Sequence, residues 1–156
     1  MSMELWVFSD RQLSSIAGWQ AAIDVEGYPL KLSDEMTFET LDGFLPSQLR
    51  GELTGFECYH DNAKEVMHAN SAINFGHDWK CALGFRWLGS NGKEGLAAWM
   101  AGTAYARATS GVVFNDQDGR FRSASESTEV VRNMEAPSSA YDEARRASRR
   151  RRGSEA

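Results

Sequence analysis

The chain of 156 residues is short enough for a single domain, and 42% of its residues are hydrophobic, with five Trp and eight Phe, which is enough to bury a core without metals or disulfides. No apolar run approaches the roughly 20 residues that cross a bilayer. The N-terminus lacks the basic and apolar segments of a signal peptide. Composition therefore excludes a disordered or membrane-spanning protein and predicts a soluble, cytoplasmic one.

The formal net charge of -5 is divided unevenly along the chain. Residues 1–142 hold 11 basic and 20 acidic side chains, a charge of -9, whereas residues 143–156 carry +4. An acidic body repels nucleic acid and favours a basic protein partner, so any binding of nucleic acid is predicted through the tail alone. The positive charge of that tail comes from Arg145, Arg146, Arg149, Arg150, Arg151 and Arg152.

The first third of the chain predicts a β-α-β opening. Residues 4–8 are rich in β-forming side chains and predict a strand. Ser9 and Gln12 fit a capping box, and apolar residues at helical spacing then predict a helix over about 11–26. Residues 28–32 alternate and predict an edge-like strand, because Pro29 cannot donate to a ladder. For residues 33–43 a short helix and an exposed loop are equally compatible with the pattern.

The remainder predicts a sheet with one long helix. Residues 44–49 and 55–60 are predicted to form a hairpin that turns at Gly51. In its second strand Phe56 and Cys58 would lie on one face and Glu57 and Tyr59 on the other. The other predicted elements are a short helical or irregular stretch near 62–72, a central strand over 79–88, an Ala-rich helix over 93–109 packed closely on the sheet, a short strand over 111–115, a turn over 116–119 and a weak helix over 123–134.

These elements predict an α+β fold with a mixed or antiparallel sheet covered by two main helices, in a ferredoxin-like or related open sandwich. Residues 1–135 are predicted to form one domain. Residues 136–156 are predicted to form a Pro/Ser boundary and a flexible arginine-rich tail, because large apolar side chains become scarce there.

The titratable and nucleophilic residues follow no catalytic or metal-binding pattern. His60, His68 and His77 are eight and nine residues apart, so no two share a helical turn. Cys58 and Cys81 lack a CxxC spacing and are predicted to be buried free thiols. Neither a nucleophile elbow nor a phosphate-binding loop is present. We therefore predict no catalytic residue, no metal and no cofactor.

One alternative is an enzyme or small-ligand site near Glu57, His60 and Asp61. Residues three apart on a strand point to opposite faces, so Glu57 and His60 could meet only across a bulge. A second alternative is an adaptor that binds nucleic acid through the arginine tail.

The acidic segment after the second strand is the sharper candidate for a binding surface. Its carboxylates would steer a basic partner while apolar residues anchor it. In the alternative interpretation the segment is a solvated amphipathic helix whose Met36, Phe38 and Leu41 pack on the protein's own core. The predicted partner-binding residues are Asp34, Glu35, Phe38, Glu39, Asp42, Glu57 and Tyr59.

Three stretches resemble small uncharacterised bacterial proteins: residues 14–22, Gly43-Phe44-Leu45-Pro46 with Gly55-Phe56-Glu57, and residues 104–114. The resemblance covers most of residues 3–122. In size, charge and lack of a catalytic motif such proteins are similar to the immunity proteins encoded beside secreted bacterial toxins. That similarity implies a non-enzymatic protein that binds and occludes a cognate toxin, and it carries over no functional residue.

Overall fold

A computed structural model describes residues 1–135. The predicted boundary at residues 136–156, with all six tail arginines, lies outside the described residues. The described part is an α+β fold, as predicted, built on one seven-stranded sheet in the order β2-β3-β4-β5-β1-β6-β7. The strands are β1 (Ser2–Ser9), β2 (Leu30–Leu32), β3 (Asp42–Leu49), β4 (Glu52–Asp61), β5 (Cys81–Leu88), β6 (Val112–Asn115) and β7 (Arg120–Arg122).

Every pair of neighbouring strands is antiparallel. Within residues 1–135 the sheet carries four helices: the two main ones expected, and two more over residues 63–69 and 124–135, where the sequence predicted a short helical or irregular stretch and a weak helix. None of the helices within residues 1–135 combines the length and the hydropathy needed to cross a membrane. The helices are α1 (Ile16–Val25), α2 (Ala63–Ala69), α3 (Gly92–Thr109) and α4 (residues 124–135).

The predicted start of the first helix was wrong. The Ser9 hydroxyl donates to the carbonyl of Arg11 at 2.7 Å instead of capping a helix. Ser15 provides the cap, since its Oγ accepts the N–H of Gly18 at 2.9 Å, and α1 begins at Ile16. Two candidate N-cap serines lie six residues apart, and a short-range sequence pattern does not decide between them.

The other elements agree with the sequence more closely. The β3–β4 hairpin turns at Arg50 and Gly51, both at positive φ, and β2 is an edge strand. The acidic segment contains only one 3-10 turn, Phe38–Thr40, which is closer to the loop alternative. Strand β7 was not predicted, and it extends the sheet by pairing with β6.

Helices α1, α3 and α4 cover one face of the sheet, which we call the inner face. Trp19 lies at its centre with no exposed surface, and its indole N–H donates to the carbonyl of Ala101 at 3.0 Å. Gly102 allows α3 to approach closely, as predicted, because a Cβ there would lie 3.1 Å from Leu5 Cδ2. The ring of Trp19 makes edge contacts at 5.5 to 6.4 Å with Phe38, Phe56, Phe85 and Tyr105.

The opposite, outer face is only half covered. Helix α2 and residues 73–79 lie over the end of the sheet formed by β1, β5, β6 and β7. Phe8 and Phe114 are fully buried beneath them. Over the rest of the outer face, towards the β3–β4 turn, side chains meet solvent, and this region positions the candidate site.

Candidate functional site

Four side chains lie in one row across the uncovered part of the outer face. Phe44 of β3 pairs with Glu57 of β4, Glu57 with Arg86 of β5, and Arg86 with Glu4 of β1. Residues in register on adjacent strands point to the same face, so the four side chains are direct neighbours. Phe44 is 49% exposed and the Arg86 side chain 46% exposed.

Polar contacts connect this row to Tyr59, which points outward from the next row of the sheet. The guanidinium of Arg86 bonds the Glu4 carboxylate at 2.8 and 3.0 Å and lies 5.7 Å from the centre of the Tyr59 ring. The Tyr59 hydroxyl donates to Glu57 Oε1 at 2.7 Å, and this hydrogen bond raises the pKa of Tyr59. Tyr59 and Arg86 are thus held in place before any partner arrives, which lowers the entropy lost on binding.

Large apolar side chains surround these polar contacts. Leu53 is 81% exposed and Leu88 58%, on the same face as Phe44. The Phe44 ring lies against Gly55, where a Cβ would come within 2.4 Å of the ring. Tyr and Arg are the residue types most enriched at binding hot spots, and here they sit among exposed apolar groups. We call this surface the open face, defined by Phe44, Leu53, Glu57, Tyr59, Arg86 and Leu88.

The open face contains a gap between two strands, which we call the wedge. Pairing between β3 and β4 continues to Glu52, whereas pairing between β4 and β5 begins only at Glu57. The strands separate beyond that point and leave adjoining clefts of 440 and 250 Å³, both lined by Phe44 and Glu94. An ion pair between Lys93 and Glu52 lies beside the wedge. The wedge therefore combines apolar side chains with charges of both signs, since Lys93 and Arg86 line it together with Glu57 and Glu94.

The structure divides the predicted binding residues between surface and core. Asp34, Glu35 and Glu39 are exposed, and Asp42 pairs with Tyr59 across the hairpin, next to the open face. Phe38 is only 2% exposed and packs on Trp19 and Tyr105, so it is not available as a surface anchor. Met36 and Leu41 also pack inward, as in the alternative interpretation.

Glu57, His60 and Asp61 do not converge. The His60 ring lies 2.6 Å from the carbonyl of Phe38 on the inner side, whereas Glu57 is bonded to Tyr59 on the outer side. Asp61 accepts the indole N–H of Trp6 at 2.8 Å, further along the strand. The expected divergence of side chains three residues apart is observed, and no bulge brings them together. Within residues 1–135 no three metal-ligating side chains cluster.

The two cysteines are free, and burial raises the pKa of each thiol. A thiol with a raised pKa stays protonated and is a poor nucleophile. Cys58 is buried, as predicted, but Cys81 is partly exposed, because it begins its strand.

Arg86 and the exposed apolar residues of the open face were not predicted as site residues. A signal was available, because Arg86 interrupts the apolar run of a strand that is otherwise buried. A charged side chain inside such a run indicates that one face of the strand is solvated at that point. The number of strands that share the uncovered region could not be read from the sequence.

Comparison with models of known protein families, with curated proteins and with solved structures gives no match for this chain. No functional residue can therefore be transferred from a relative, and the function must be inferred from the open face itself.

Proposed function

We propose that the protein is a binding protein whose open face receives a basic protein partner. The observation that carries this proposal is the combination of exposed Phe44, Leu53 and Leu88 with Tyr59 and Arg86 on one sheet face. Exposed apolar side chains scattered singly need no explanation, but a contiguous group with fixed aromatic and arginine side chains is typical of an interface.

The charge of the surface supports a basic partner. Residues 1–135 hold 19 acidic and 11 basic side chains, and six of the basic ones are already in ion pairs with carboxylates. Glu57 faces the open face and Asp42 lies beside Tyr59, where the exposed acidic segment joins β3. A negative field there would speed the approach of a positive surface.

We propose further that the partner is a toxin and that the protein is a cytoplasmic immunity protein acting by occlusion. The acidic charge, the small size and the exposed apolar and arginine side chains of the open face support this proposal. The same features fit an inhibitor of another basic enzyme, so the identity of the partner must come from experiment.

For the fold, we propose a ferredoxin-like core with added edge strands. With the intervening β2, β3 and α2 set aside, the chain order β1-α1-β4-β5-α3-β6 and the sheet order β4-β5-β1-β6 support this assignment. Such a core hosts many unrelated functions, so it adds no functional argument.

A capture experiment with matched variants tests the binding function. Full-length tagged protein, its Phe44→Ala and Arg86→Ala variants, and a Val25→Ala control would be used against extract from the native cell. Val25 is 84% exposed at the end of α1, away from the open face. We expect one species retained by wild type and control and lost with both open-face variants.

The captured partner, once purified, permits a quantitative test. We expect Arg86→Ala to weaken binding about 30-fold, corresponding to about 2 kcal/mol. Reversal of charge in Glu39→Lys with Asp42→Lys should slow association, most strongly at low salt. Equal affinities for wild type, Phe44→Ala and Arg86→Ala would show that the partner binds elsewhere and would refute the open face as the site.

A further inference from the structure

We propose that the partner docks by adding an extended segment of its own chain to the free edge of β4 inside the wedge. Strand β5 separates from β4 after Arg86 and ends at Leu88, where the chain turns towards α3, while β4 continues to Glu52. Residues 52–56 of β4 therefore have a neighbouring strand only on the β3 side. This inference rests on the proposed function for the basic character of the partner.

The register of the neighbouring strands shows which backbone groups of β4 face the wedge. Just after β2, the N–H of Ser33 donates to the carbonyl of Pro46 at 2.9 Å, so the backbone groups of Pro46 point away from β4. Gly55 lies opposite Pro46, and its backbone groups therefore point away from β3. The N–H and C=O groups of Gly55, and those of Leu53 two residues away, thus face the wedge.

These wedge-facing groups have no hydrogen-bond partner in the part of the chain that the structure describes. The end of β5 offers none, because the carbonyl of Leu88 accepts the N–H of Asn91 at 2.9 Å and the N–H of Leu88 faces Glu94 Oε1 at 3.5 Å. Leu53 is exposed, whereas Gly55 is buried. Buried backbone groups are nearly always paired in proteins, so this edge is suited to an added strand.

The charges beside the wedge have both signs. Lys93 pairs with Glu52, and Arg86 pairs with a carboxylate of β1. Glu57 and Glu94 line the same clefts and form no ion pair within the described residues. Local charge therefore tolerates a basic segment but does not select one. The acidic excess of the whole body steers a basic protein towards this face, and backbone hydrogen bonds then hold the inserted segment.

An apolar side chain of the inserted segment has a place to pack. The cleft of 440 Å³ beside the free edge is lined by Phe44, Pro46 and Leu53. Alternate side chains of a strand point to the same face, so a segment paired with β4 directs every second side chain towards the open face. We therefore expect an extended segment with apolar residues at alternate positions and without proline where it pairs with β4.

A second copy of this chain fits the wedge less well than a basic partner does. Its sheet edges, β2 and β7, are each three residues long. Two bodies with the same acidic excess also repel one another. In addition, the Lys93–Glu52 ion pair lies beside the wedge and must open before a strand can enter, which keeps out unselected chains.

An NMR titration of the full-length protein with a synthetic peptide tests the proposal. The probe is a capped peptide of about nine residues that alternates threonine with valine or leucine and has a lysine at each end, long enough to cover the free edge. We expect the amide protons of Leu53 and Gly55 to shift downfield, with an affinity on the order of millimolar. The amide protons of Thr54 and Phe56 face β3 and should move little. The control is the same peptide with methylated backbone nitrogens.

A pair of protein variants separates the backbone from the side chain. Leu53→Pro removes an N–H that faces the wedge and leaves the hydrogen bonds to β3 in place, whereas Leu53→Ala keeps that N–H and shortens the side chain. We expect Leu53→Pro to weaken binding of the peptide about tenfold and Leu53→Ala about threefold or less. The indole signal of Trp19 and circular dichroism verify that each variant is folded. If Leu53→Pro does not fold, the methylated peptide still decides.

Four results would overturn the proposal. They are no shift at Leu53 and Gly55 up to the solubility limit of the peptide, equal binding of the methylated peptide, equal binding by folded Leu53→Pro, and shifts that grow with protein concentration before any peptide is added. The last result would place a second copy in the wedge. The titration contains no natural partner, so a peptide that fails to bind leaves the capture result standing. A failed capture, in turn, leaves the result at the free edge standing.

Discussion

The two halves of the outer face share strands β1 and β5, but one half is covered by packed aromatic rings and the other is open to solvent. Under α2, Phe75 packs on Phe8, Phe114 and Phe121 with ring centroids 5.1 to 5.6 Å apart. On the open face, Phe44 stays half exposed and its neighbours are charged. Strand β1 passes from one half to the other, and its outward side chains change from Glu4 through Trp6 to Phe8 as it enters the covered half.

This difference shows how one antiparallel sheet can combine a second core with a solvated surface. The covered half excludes water with aromatic rings, and the open half satisfies its polar groups through contacts between neighbouring strands. The boundary lies at the hydrogen bond between Trp6 and Asp61. Stability should therefore depend on the covered half, and binding on the open half.

The largest expected loss of stability comes from a substitution on the inner face. This loss is the reference against which substitutions in the two halves of the outer face are compared. Trp19→Ala removes a fully buried ring with four aromatic neighbours and should lower the free energy of unfolding by about 3 to 5 kcal/mol. Urea denaturation followed by circular dichroism measures it. Val25→Ala is the control and should stay within about 0.5 kcal/mol of wild type.

A matched pair of substitutions compares the two halves directly. Phe75→Ala should cost about 2 kcal/mol, because the ring is partly buried among three others. Phe44→Ala should cost about 0.5 kcal/mol or less, because half of its surface already meets solvent. The same denaturation measurement checks both, and equal losses would contradict the division of roles between the halves.

The boundary between the halves depends on the missing side chain of Gly84. A Cβ there would lie 2.4 Å from Asp61 Oδ2 and 3.1 Å from Trp6 Nε1. We expect Gly84→Ala to break that hydrogen bond and to cost about 1 to 2 kcal/mol. The indole N–H resonance of Trp6 should shift in the proton NMR spectrum. An unshifted resonance would show that the strand relaxes around the methyl group.

The smallest expected effect distinguishes two tyrosines by pH. Burial raises the pKa of Tyr105 from 10.0 to about 12, so the folded state holds this proton more tightly than the unfolded state. Its contribution to stability is complete below pH 10 and is lost as the pH rises towards 12. We expect Tyr105→Phe to reduce the loss of stability between pH 8 and 11 by about 1 kcal/mol. Urea denaturation at the two pH values measures this.

The outer tyrosine is the comparison for that experiment. The pKa of Tyr59 is raised first by its hydrogen bond to Glu57 and only secondarily by burial. Glu57→Gln should therefore lower the pKa of Tyr59 towards its ordinary value and leave that of Tyr105 unchanged, as followed by NMR titration. A fall in both values would mean that the substitution disturbs the core.

The sequence predicted most elements because their signals are local. The hairpin at Gly51, the long Ala-rich helix and the central position of β5 follow from turn residues and periodicity. The cap at Ser15, strand β7 and the burial of Phe38 depend on tertiary contacts, which no short window contains. The open face also depends on tertiary structure, because its extent is set by where α2 ends over the sheet and not by any run of residues.

The wedge also has a consequence for solubility. Where β4 separates from β5, the sheet has an edge in its interior, and free strand edges are the usual starting points of aggregation. The Phe44 ring over Gly55 and the Lys93–Glu52 ion pair lie where an added strand would have to enter. Charged side chains at an edge discourage such pairing. Substitutions that remove this ion pair should therefore be judged by aggregation as well as by binding.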